Sequence, residues 1–215
     1  LARQQVVGIQ AQGSRAYLRL RSHTGQTQRI EILDMTDPFR PRTLGTFPVG
    51  SDTRAWAVDG DWAYVVDNLA LHVWDLTEPG AAKETAAVAI PPAHAVMSLA
   101  VAKGHAYAVS NEGLLVFDVS NPQAPGLIGQ LLRSDLDGVD IAIFGSWALI
   151  ATTGSGNSNL RVVDISRPER PVYVSAAGSP KRAVAVAVDS GRVVLLTDNV
   201  VQRVHLYELD RRGRL

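Results

Sequence analysis

The chain has 215 residues, 46% of them hydrophobic, which is enough to bury a sizeable core within one domain. Lysine plus arginine and aspartate plus glutamate number 21 each, so the formal net charge is zero and nothing favours the electrostatic attraction that nucleic acid requires. No apolar run approaches the length of a spanning helix, and the absence of cysteine excludes disulfides, thiolate metal sites and a cysteine nucleophile.

Taken from the N-terminus, the chain repeats one pattern five times. Each copy has an apolar strand, a turn containing glycine, a second strand of the Ala-Tyr-Val type, a variable loop, and a strand L-x-V-x-D followed by S/T-x-P. The position of the second strand recurs as Tyr17, Tyr64, Tyr107, Leu149 and Val194. The acidic position recurs as Asp34, Asp75, Asp118, Asp164 and Glu208, at intervals of 41 to 46 residues. Two independent anchors with one period indicate a repeat architecture.

A period of this length holds four short strands with their turns, which is the size of one propeller blade. Runs such as 183–188 and 191–197 consist mainly of β-branched or apolar residues and are typical of strands buried on both faces. Residues 81–87 are rich in alanine, but their place in the second copy predicts an outer strand. The sequence therefore predicts an all-β fold, a β-propeller of about five four-stranded blades. It forms a single domain over 1–215, with repeats at approximately 6–49, 50–92, 93–134, 135–178 and 179–210.

The two ends of the chain leave the fifth blade open to interpretation. The most apolar strand of each copy should be innermost, and the outer strand follows the proline turn. Counted in this way, the chain begins inside the first strand of blade one and stops just after the third strand of blade five. Either blade five has three strands, or residues beyond Leu215 complete it or continue into further blades. We expect the edge at 204–208 to be covered by N-terminal residues, by additional sequence or by a strand from another polypeptide.

The strands that end in Asp118-Val-Ser-Asn-Pro122 and Asp164-Ile-Ser-Arg-Pro168 resemble those of the LVIVD-repeat propellers. This is a bacterial and archaeal group of mostly exported or surface-attached proteins. The resemblance covers all five copies, and copy five departs from it because no proline follows Glu208. It implies a propeller fold and a location outside the cytoplasm, and it brings no catalytic signature.

The repeated acidic residues are interpreted as scaffold. A catalytic group is needed once, whereas Asp34, Asp75, Asp118 and Asp164 occur in four blades, each two residues before Ser or Thr and four before Pro. Such a carboxylate can accept backbone N–H groups while the proline fixes the turn. We therefore assign these four residues a structural role.

Residues that break the repeat are the candidates for binding, because loops on a rigid scaffold concentrate binding residues. The second-to-third strand loops and the blade connections make up the variable rim. Its candidate binding residues are Arg54, His94, Asp137, Asp140, Lys181 and Arg182. The five histidines show no zinc-ligand spacing, and His72 and His205 fall at the same blade position.

Three carboxylates in the fourth copy raise the question of a metal. Asp135, Asp137 and Asp140 surround Gly138 within six residues, which suits a hard cation such as calcium. The spacing misses the EF-hand pattern, and a solvated acidic loop is the alternative. We expect no other cofactor.

Two classes of function remain. The first is a non-catalytic interaction or scaffold module that presents a loop rim to a protein or glycan partner, or forms part of a surface assembly. The second is an enzyme or a small-ligand or metal binder at the mouth of the central channel, where Arg54, Asp137, Asp140, Lys181 and Arg182 would converge. The apolar inner strands offer few acidic groups for a metal hydrolase. The sequence therefore favours the first class, without catalysis, in an extracellular, cell-surface or periplasmic location.

Overall fold

The chain folds almost entirely into strands. The structure is a computed structural model that describes residues 4–25, 27–92, 94–153, 158–178, 182–198 and 203–215. These residues form nineteen strands in five antiparallel sheets and one short 3₁₀ turn, Pro79–Ala81, with no α-helix among them. The predicted class is confirmed: the fold is an all-β propeller with five blades, and the fifth blade has three strands.

Blades one to three each have four strands. Blade one comprises β1 (Gln4–Gln12), β2 (Arg15–Ser22), β3 (Gln28–Asp34) and β4 (Arg42–Val49). Blade two comprises β5 (Ala55–Asp59), β6 (Trp62–Val66), β7 (Ala70–Asp75) and β8 (Lys83–Ala89), so the alanine-rich segment is a strand as predicted. Blade three comprises β9 (Val96–Ala102), β10 (His105–Ser110), β11 (Gly113–Asp118) and β12 (Gly126–Leu132).

The last two blades differ in their number of strands. Blade four comprises β13 (Gly138–Phe144), β14 (Trp147–Thr152), β15 (Leu160–Asp164) and β16 (Val172–Ala177). Blade five comprises β17 (Ala183–Asp189), β18 (Arg192–Thr197) and β19 (Arg203–Glu208). In every sheet the strand order follows the chain order, so each blade is an antiparallel meander.

Two compact units make up the chain. Unit 1 comprises Leu1–Ile90 with Pro122–Ala124, and unit 2 comprises Pro91–Asn121 with Pro125–Leu215. Within unit 1, β1 contacts β5; within unit 2, β13 contacts both β9 and β17. The first strands of neighbouring blades therefore meet, as expected for the innermost strands of a propeller.

Each unit has its own apolar core between neighbouring sheets. The core of unit 1 is built around large side chains of blades one and two, namely Tyr17, Ile30, Ile32, Phe47, Trp56, Val65 and Leu76. Unit 2 has two clusters, one centred on Tyr107, Val116, Leu136 and Ile150 and the other on Leu149, Leu160, Val186 and Leu195. Successive residues of β14 thus face different clusters, which explains why this strand lacks polar alternation.

The proline turn of one blade packs against a glycine in the fourth strand of the blade before it. A Cβ atom added to Gly45 would lie 1.9 Å from the carbonyl oxygen of Pro79, and one added to Gly129 would lie 2.1 Å from that of Pro168. Only glycine permits this approach of strand to turn. The contact recurs in both units and fixes the spacing of neighbouring blades at the turn end.

Candidate functional site

The four acidic residues assigned to scaffold occupy one repeated geometry. Each carboxylate accepts the backbone N–H of the Ser or Thr two residues later, at 2.8 to 2.9 Å. Three of them also accept the hydroxyl of that residue. This hydroxyl hydrogen bond, together with the backbone one, lowers the pKa values of Asp34, Asp75 and Asp118. The fourth strand then begins eight residues after the Asp in all four blades.

The three carboxylates considered for calcium have separate partners. Asp135 accepts hydrogen bonds from Arg133 Nε at 2.8 Å and Nη2 at 3.0 Å, and this bonding to Arg133 lowers its pKa. Asp137 accepts the Thr153 hydroxyl. Across the described ranges, no group of three or more His, Asp or Glu side chains lies in a geometry that could hold a metal ion. The calcium interpretation stays a prediction, which thermal unfolding with and without calcium would test.

Asp140 instead joins three blades of unit 2. Its Oδ1 accepts the Ser98 hydroxyl at 2.9 Å, and its Oδ2 accepts the Val186 backbone N–H at 2.9 Å. In unit 1, Gln10 makes the equivalent link, since its amide bonds the Trp56 carbonyl at 2.7 Å and the Val58 N–H at 3.0 Å. Polar side chains of the inner strands therefore connect neighbouring blades.

The remaining rim candidates do not form one described site. Arg54 Nε donates to Asn68 Oδ1 at 3.0 Å, and His94 Nδ1 lies 3.0 Å from the Ser110 hydroxyl. The side chain of Arg182 is exposed. Lys181 lies outside the described residues. Arg54 belongs to unit 1, whereas His94, Asp137, Asp140 and Arg182 belong to unit 2.

A cleft in unit 1 contains His72, a residue outside the predicted set of binding residues. It has a volume of about 350 Å³ and is lined by Pro48, Val49, Gly50 and Thr53 from blade one and its connection, and by Val65, Asp67, His72, Trp74 and Glu84 from blade two. His72 Nε2 lies 3.0 Å from Asp67 Oδ2, and Nδ1 lies 2.8 Å from Glu84 Oε1. Burial opposes a charged imidazole, but the hydrogen bonds to Glu84 and Asp67 outweigh it and raise the pKa of His72.

Blade five presents a second candidate surface at its third strand. Among the described residues, β19 pairs with β18 alone, so its other edge has no strand beside it. Val204 is 63% exposed and Leu206 is 76% exposed. A hollow of about 390 Å³ lies beside this strand and is lined by Arg192, Leu206, Tyr207 and Glu208. The free edge of β19 therefore exposes both backbone hydrogen-bonding groups and apolar side chains.

Comparison with known proteins identifies the repeat and the fold. The family model described as LVIVD repeat matches residues 50–84, 94–132 and 137–176, which together are more than half of the chain. Comparison with curated proteins finds no match. None of the described residues forms a helix with the length and apolar character needed to cross a membrane.

Solved structures share the fold at low sequence identity. A functionally unknown protein from Desulfotomaculum acetoxidans DSM 771 matches with a TM-score of 0.76 and 16% identity, over 99% of this chain and 67% of that one. Hsv2 of Kluyveromyces lactis matches with a TM-score of 0.64 and 10% identity, over 96% and 61%. The computationally designed Ika4 protein matches with a TM-score of 0.55 and 12% identity, over 73% and 90%. The chain thus spans about two thirds of the first protein and less of the second, and the likeness shows the fold alone.

Proposed function

The chain belongs to the LVIVD-repeat family, and from this premise we propose that it is a non-catalytic interaction module that binds a protein partner at the open edge of blade five. The partner contributes an extended strand that pairs with β19. This binding takes place outside the cytoplasm, in an extracellular, cell-surface or periplasmic setting, as the resemblance to the family implies. A surface assembly built from such modules is the setting that this mode of binding suits.

The observation that carries the proposal is the contrast between the outer strands. In blades one to four the third strand has a fourth strand at its side, whereas β19 has none among the described residues. An open edge displays unpaired N–H and C=O groups, and native proteins rarely leave one apolar and uncovered. Val204 and Leu206 are the most exposed apolar residues of this strand. Strand addition satisfies the backbone groups and covers these side chains.

The chemistry of the edge defines the partner. Val204 and Leu206 alternate with His205 and Tyr207, so a bound strand needs apolar side chains at every second position on the side of Val204 and Leu206. Arg192 and Glu208 stand opposite one another at the end of the β18–β19 pair and offer both charges there. Polypeptide satisfies these requirements, whereas a glycan, the other partner class considered, would leave the backbone groups of β19 without strand partners.

The second class, an enzyme or ligand site at the channel mouth, gains no support from the described candidates. Asp137 and Asp140 are hydrogen-bonded to neighbouring strands and loops, and Arg54 is bonded to Asn68. Arg54 and Arg182 are the exposed members of the described set, and they belong to different units. The channel-mouth hypothesis therefore stays a prediction.

A peptide with the sequence of a natural outer strand tests the proposal. The probe is residues 170–177, which include β16, added to the full chain while hydrogen exchange is followed at the amides of β19. We expect slower exchange at Leu206 and Glu208 in the presence of the peptide, and loss of this protection in Leu206→Lys. Val172→Lys, which alters an exposed apolar residue on the complete blade four, is the matched control and should keep the protection.

Two results would overturn the proposal. One is fast hydrogen exchange at the β19 amides of a monomer, at a rate that no concentration of the peptide changes. The other is protection that is equal in wild type and Leu206→Lys, since binding would then lie elsewhere. Protection that rises with protein concentration and no peptide would identify a second copy of the chain as the strand donor.

A further inference from the structure

The cleft beside His72 contains more negative charge than its single histidine can neutralise. Asp67 and Glu84 face the two nitrogens of one imidazole, and the side chains of Asp67 and His72 are 20% and 26% exposed. A neutral imidazole carries one N–H, so both hydrogen bonds together require the imidazolium. The cleft therefore has a formal charge of −1 when His72 is protonated and −2 when it is not. Loss of this proton removes the cation that both Asp67 and Glu84, which is 42% exposed, contact.

The walls of the cleft are apolar. Trp74 is held against Phe47 with ring centroids 4.8 Å apart, and it faces the blade-one side formed by Pro48 and Val49. An indole and aliphatic side chains favour the methylene stem of a cation as well as the cation itself. The volume of about 350 Å³ accommodates one side chain of the size of lysine.

The residues that line the blade-one side carry no titratable group. A neighbouring cation is Arg19, which donates to the Thr53 carbonyl from the β2 strand. The neighbouring charges of the connection are already paired, since Asp52 and Arg54 both bond Asn68.

An unused acceptor lies next to this wall. Gln28 is 8% exposed, and its register partner Val49 lines the cleft. Gln28 Nε2 donates to the Ser51 carbonyl at 2.6 Å, while its Oε1 has no hydrogen-bond partner among the described residues. Gln28 is not among the residues that line the cleft, so this acceptor marks the polarity of the neighbouring strand rather than a contact for the ligand.

We propose that this cleft binds a primary alkylammonium group, with its stem against Trp74 and Val49 and its ammonium at the Asp67 and Glu84 carboxylates, in exchange for the proton on His72. The step is non-covalent: one ammonium enters and one proton leaves His72 for solvent. The ammonium is either a lysine side chain of a polypeptide or a small primary amine, since both share this chemistry. The site lies in unit 1 and is independent of the strand addition proposed for unit 2.

Exchange for a proton has a reciprocal consequence. Binding of the ammonium must lower the apparent pKa of His72, and protonation of His72 must weaken binding. Below the pKa of His72, the apparent affinity should fall by about tenfold for each pH unit. Above that pKa the affinity should become independent of pH.

The experiment is an imidazole NMR titration of the full chain with n-butylammonium as the probe. We expect n-butylammonium to lower the apparent pKa of His72 and to leave that of His205 unchanged. Tetramethylammonium and sodium at equal concentration should have no such effect, because they bring no N–H donors. Glu84→Gln should abolish the shift, and Glu78→Gln, an exposed glutamate of the same blade outside the cleft, should retain it.

A second arm separates the two sources. Nα-acetyl-lysine amide should act at lower concentration than n-butylammonium if the natural ligand is a polypeptide side chain, and at higher concentration if it is a free amine. An unchanged pKa of His72 with both probes overturns the proposal. So does an equal shift at His205 or with tetramethylammonium, because the effect would then be general screening rather than occupation of the cleft.

Discussion

Blade two and blade five place a histidine at the same register position but surround it differently. His72 lies opposite Val65 in blade two, and His205 lies opposite Leu195 in blade five. Nε2 of His72 faces the carboxylate of Asp67 at 3.0 Å, whereas Nε2 of His205 faces the hydroxyl of Thr197 at 3.3 Å. The second carboxylate of blade two, Glu84, comes from a fourth strand, and no such strand occurs in blade five among the residues that the structure describes.

The backbone at the turn end is nevertheless the same in the two blades. Leu76 N donates to the Asp61 carbonyl at 2.7 Å, and Leu209 N donates to the Gly191 carbonyl at 2.8 Å. In blade five the side-chain bonds come from Asp210, whose carboxylate accepts the N–H groups two and four residues later. The repeat therefore specifies backbone closure, while the fourth strand and the residues outside the repeat decide whether a blade carries a charged cleft or an open edge.

The largest effect on stability should come from the contact of a proline turn with the preceding blade. Blade two makes this contact through Pro79, whereas the turn of blade five has no proline at that position. Gly45→Ala places a Cβ against the Pro79 carbonyl, and either the strand or the turn must move. Overpacking of this kind costs about 1–3 kcal/mol in the free energy of unfolding. Urea unfolding followed by intrinsic fluorescence measures the loss.

Gly126→Ala is the matched control for that substitution. Gly126 also lies in a fourth strand, but a Cβ added there meets no atom within 4 Å. The control should unfold at the midpoint of the wild type or slightly above it, because alanine restricts the unfolded chain. Equal midpoints for Gly45→Ala and Gly126→Ala would show that the contact does not constrain the blades.

The next effect concerns the acidic turn that blades one to four share and blade five replaces. Asp118→Ala removes the bonds to the Ser120 N–H and hydroxyl, and these groups are exposed enough for water to replace part of the loss. We expect a decrease of about 0.5–1.5 kcal/mol in the free energy of unfolding, as for an ordinary hydrogen bond. Glu208→Ala, at the same register position in blade five, should cost less, because Asp210 caps that turn. A larger loss for Glu208→Ala than for Asp118→Ala would reverse the assignment of the caps.

The pH dependence of that turn follows from the lowered pKa of Asp118. A carboxyl with a pKa below its ordinary value stabilises the fold above that ordinary value, near pH 4, and the contribution is lost as the pH falls through the lowered one. Wild type should therefore lose more stability than Asp118→Asn on acidification below about pH 4. Parallel acid unfolding curves for the two proteins would contradict this origin of the shift.

The repeat made most of the fold predictable. The positions of Tyr17 and Asp34 recur with one period, and an acidic residue followed eight residues later by a strand is a local relation that the sequence displays directly. The three strands of blade five were one of two predicted alternatives, since no proline follows Glu208. A periodic pattern contains only what the blades have in common. It therefore predicted the sheets, the order of the strands within each sheet and the positions of the turns.

The cleft could not be predicted in the same way, because it depends on what the blades do not share. Asp67 precedes His72 by five residues and Glu84 follows it by twelve, and only the pairing of β6, β7 and β8 brings them together. The recurrence of a histidine at this position is visible in the sequence, but no spacing in the sequence marks Asp67 and Glu84 as its partners. Asp135 shows the same limit from the other side: its spacing predicts a cation ligand, and nothing in the sequence indicates that its carboxylate faces the Arg133 guanidinium.

The smallest effect concerns the two histidines. It is the change in the free energy of unfolding with pH. The pKa of His72 is raised, so its contribution to stability is complete below the ordinary value near 6.5 and is lost as the pH rises through the raised value. Because the side chain is partly exposed, we expect a loss below about 1 kcal/mol. Asp67→Asn should flatten this part of the stability curve, and Thr197→Val beside His205 should leave it unchanged. Denaturant midpoints measured from slightly acidic to slightly alkaline pH check both variants, and a slope that survives Asp67→Asn but disappears in Thr197→Val would assign the titration to blade five instead.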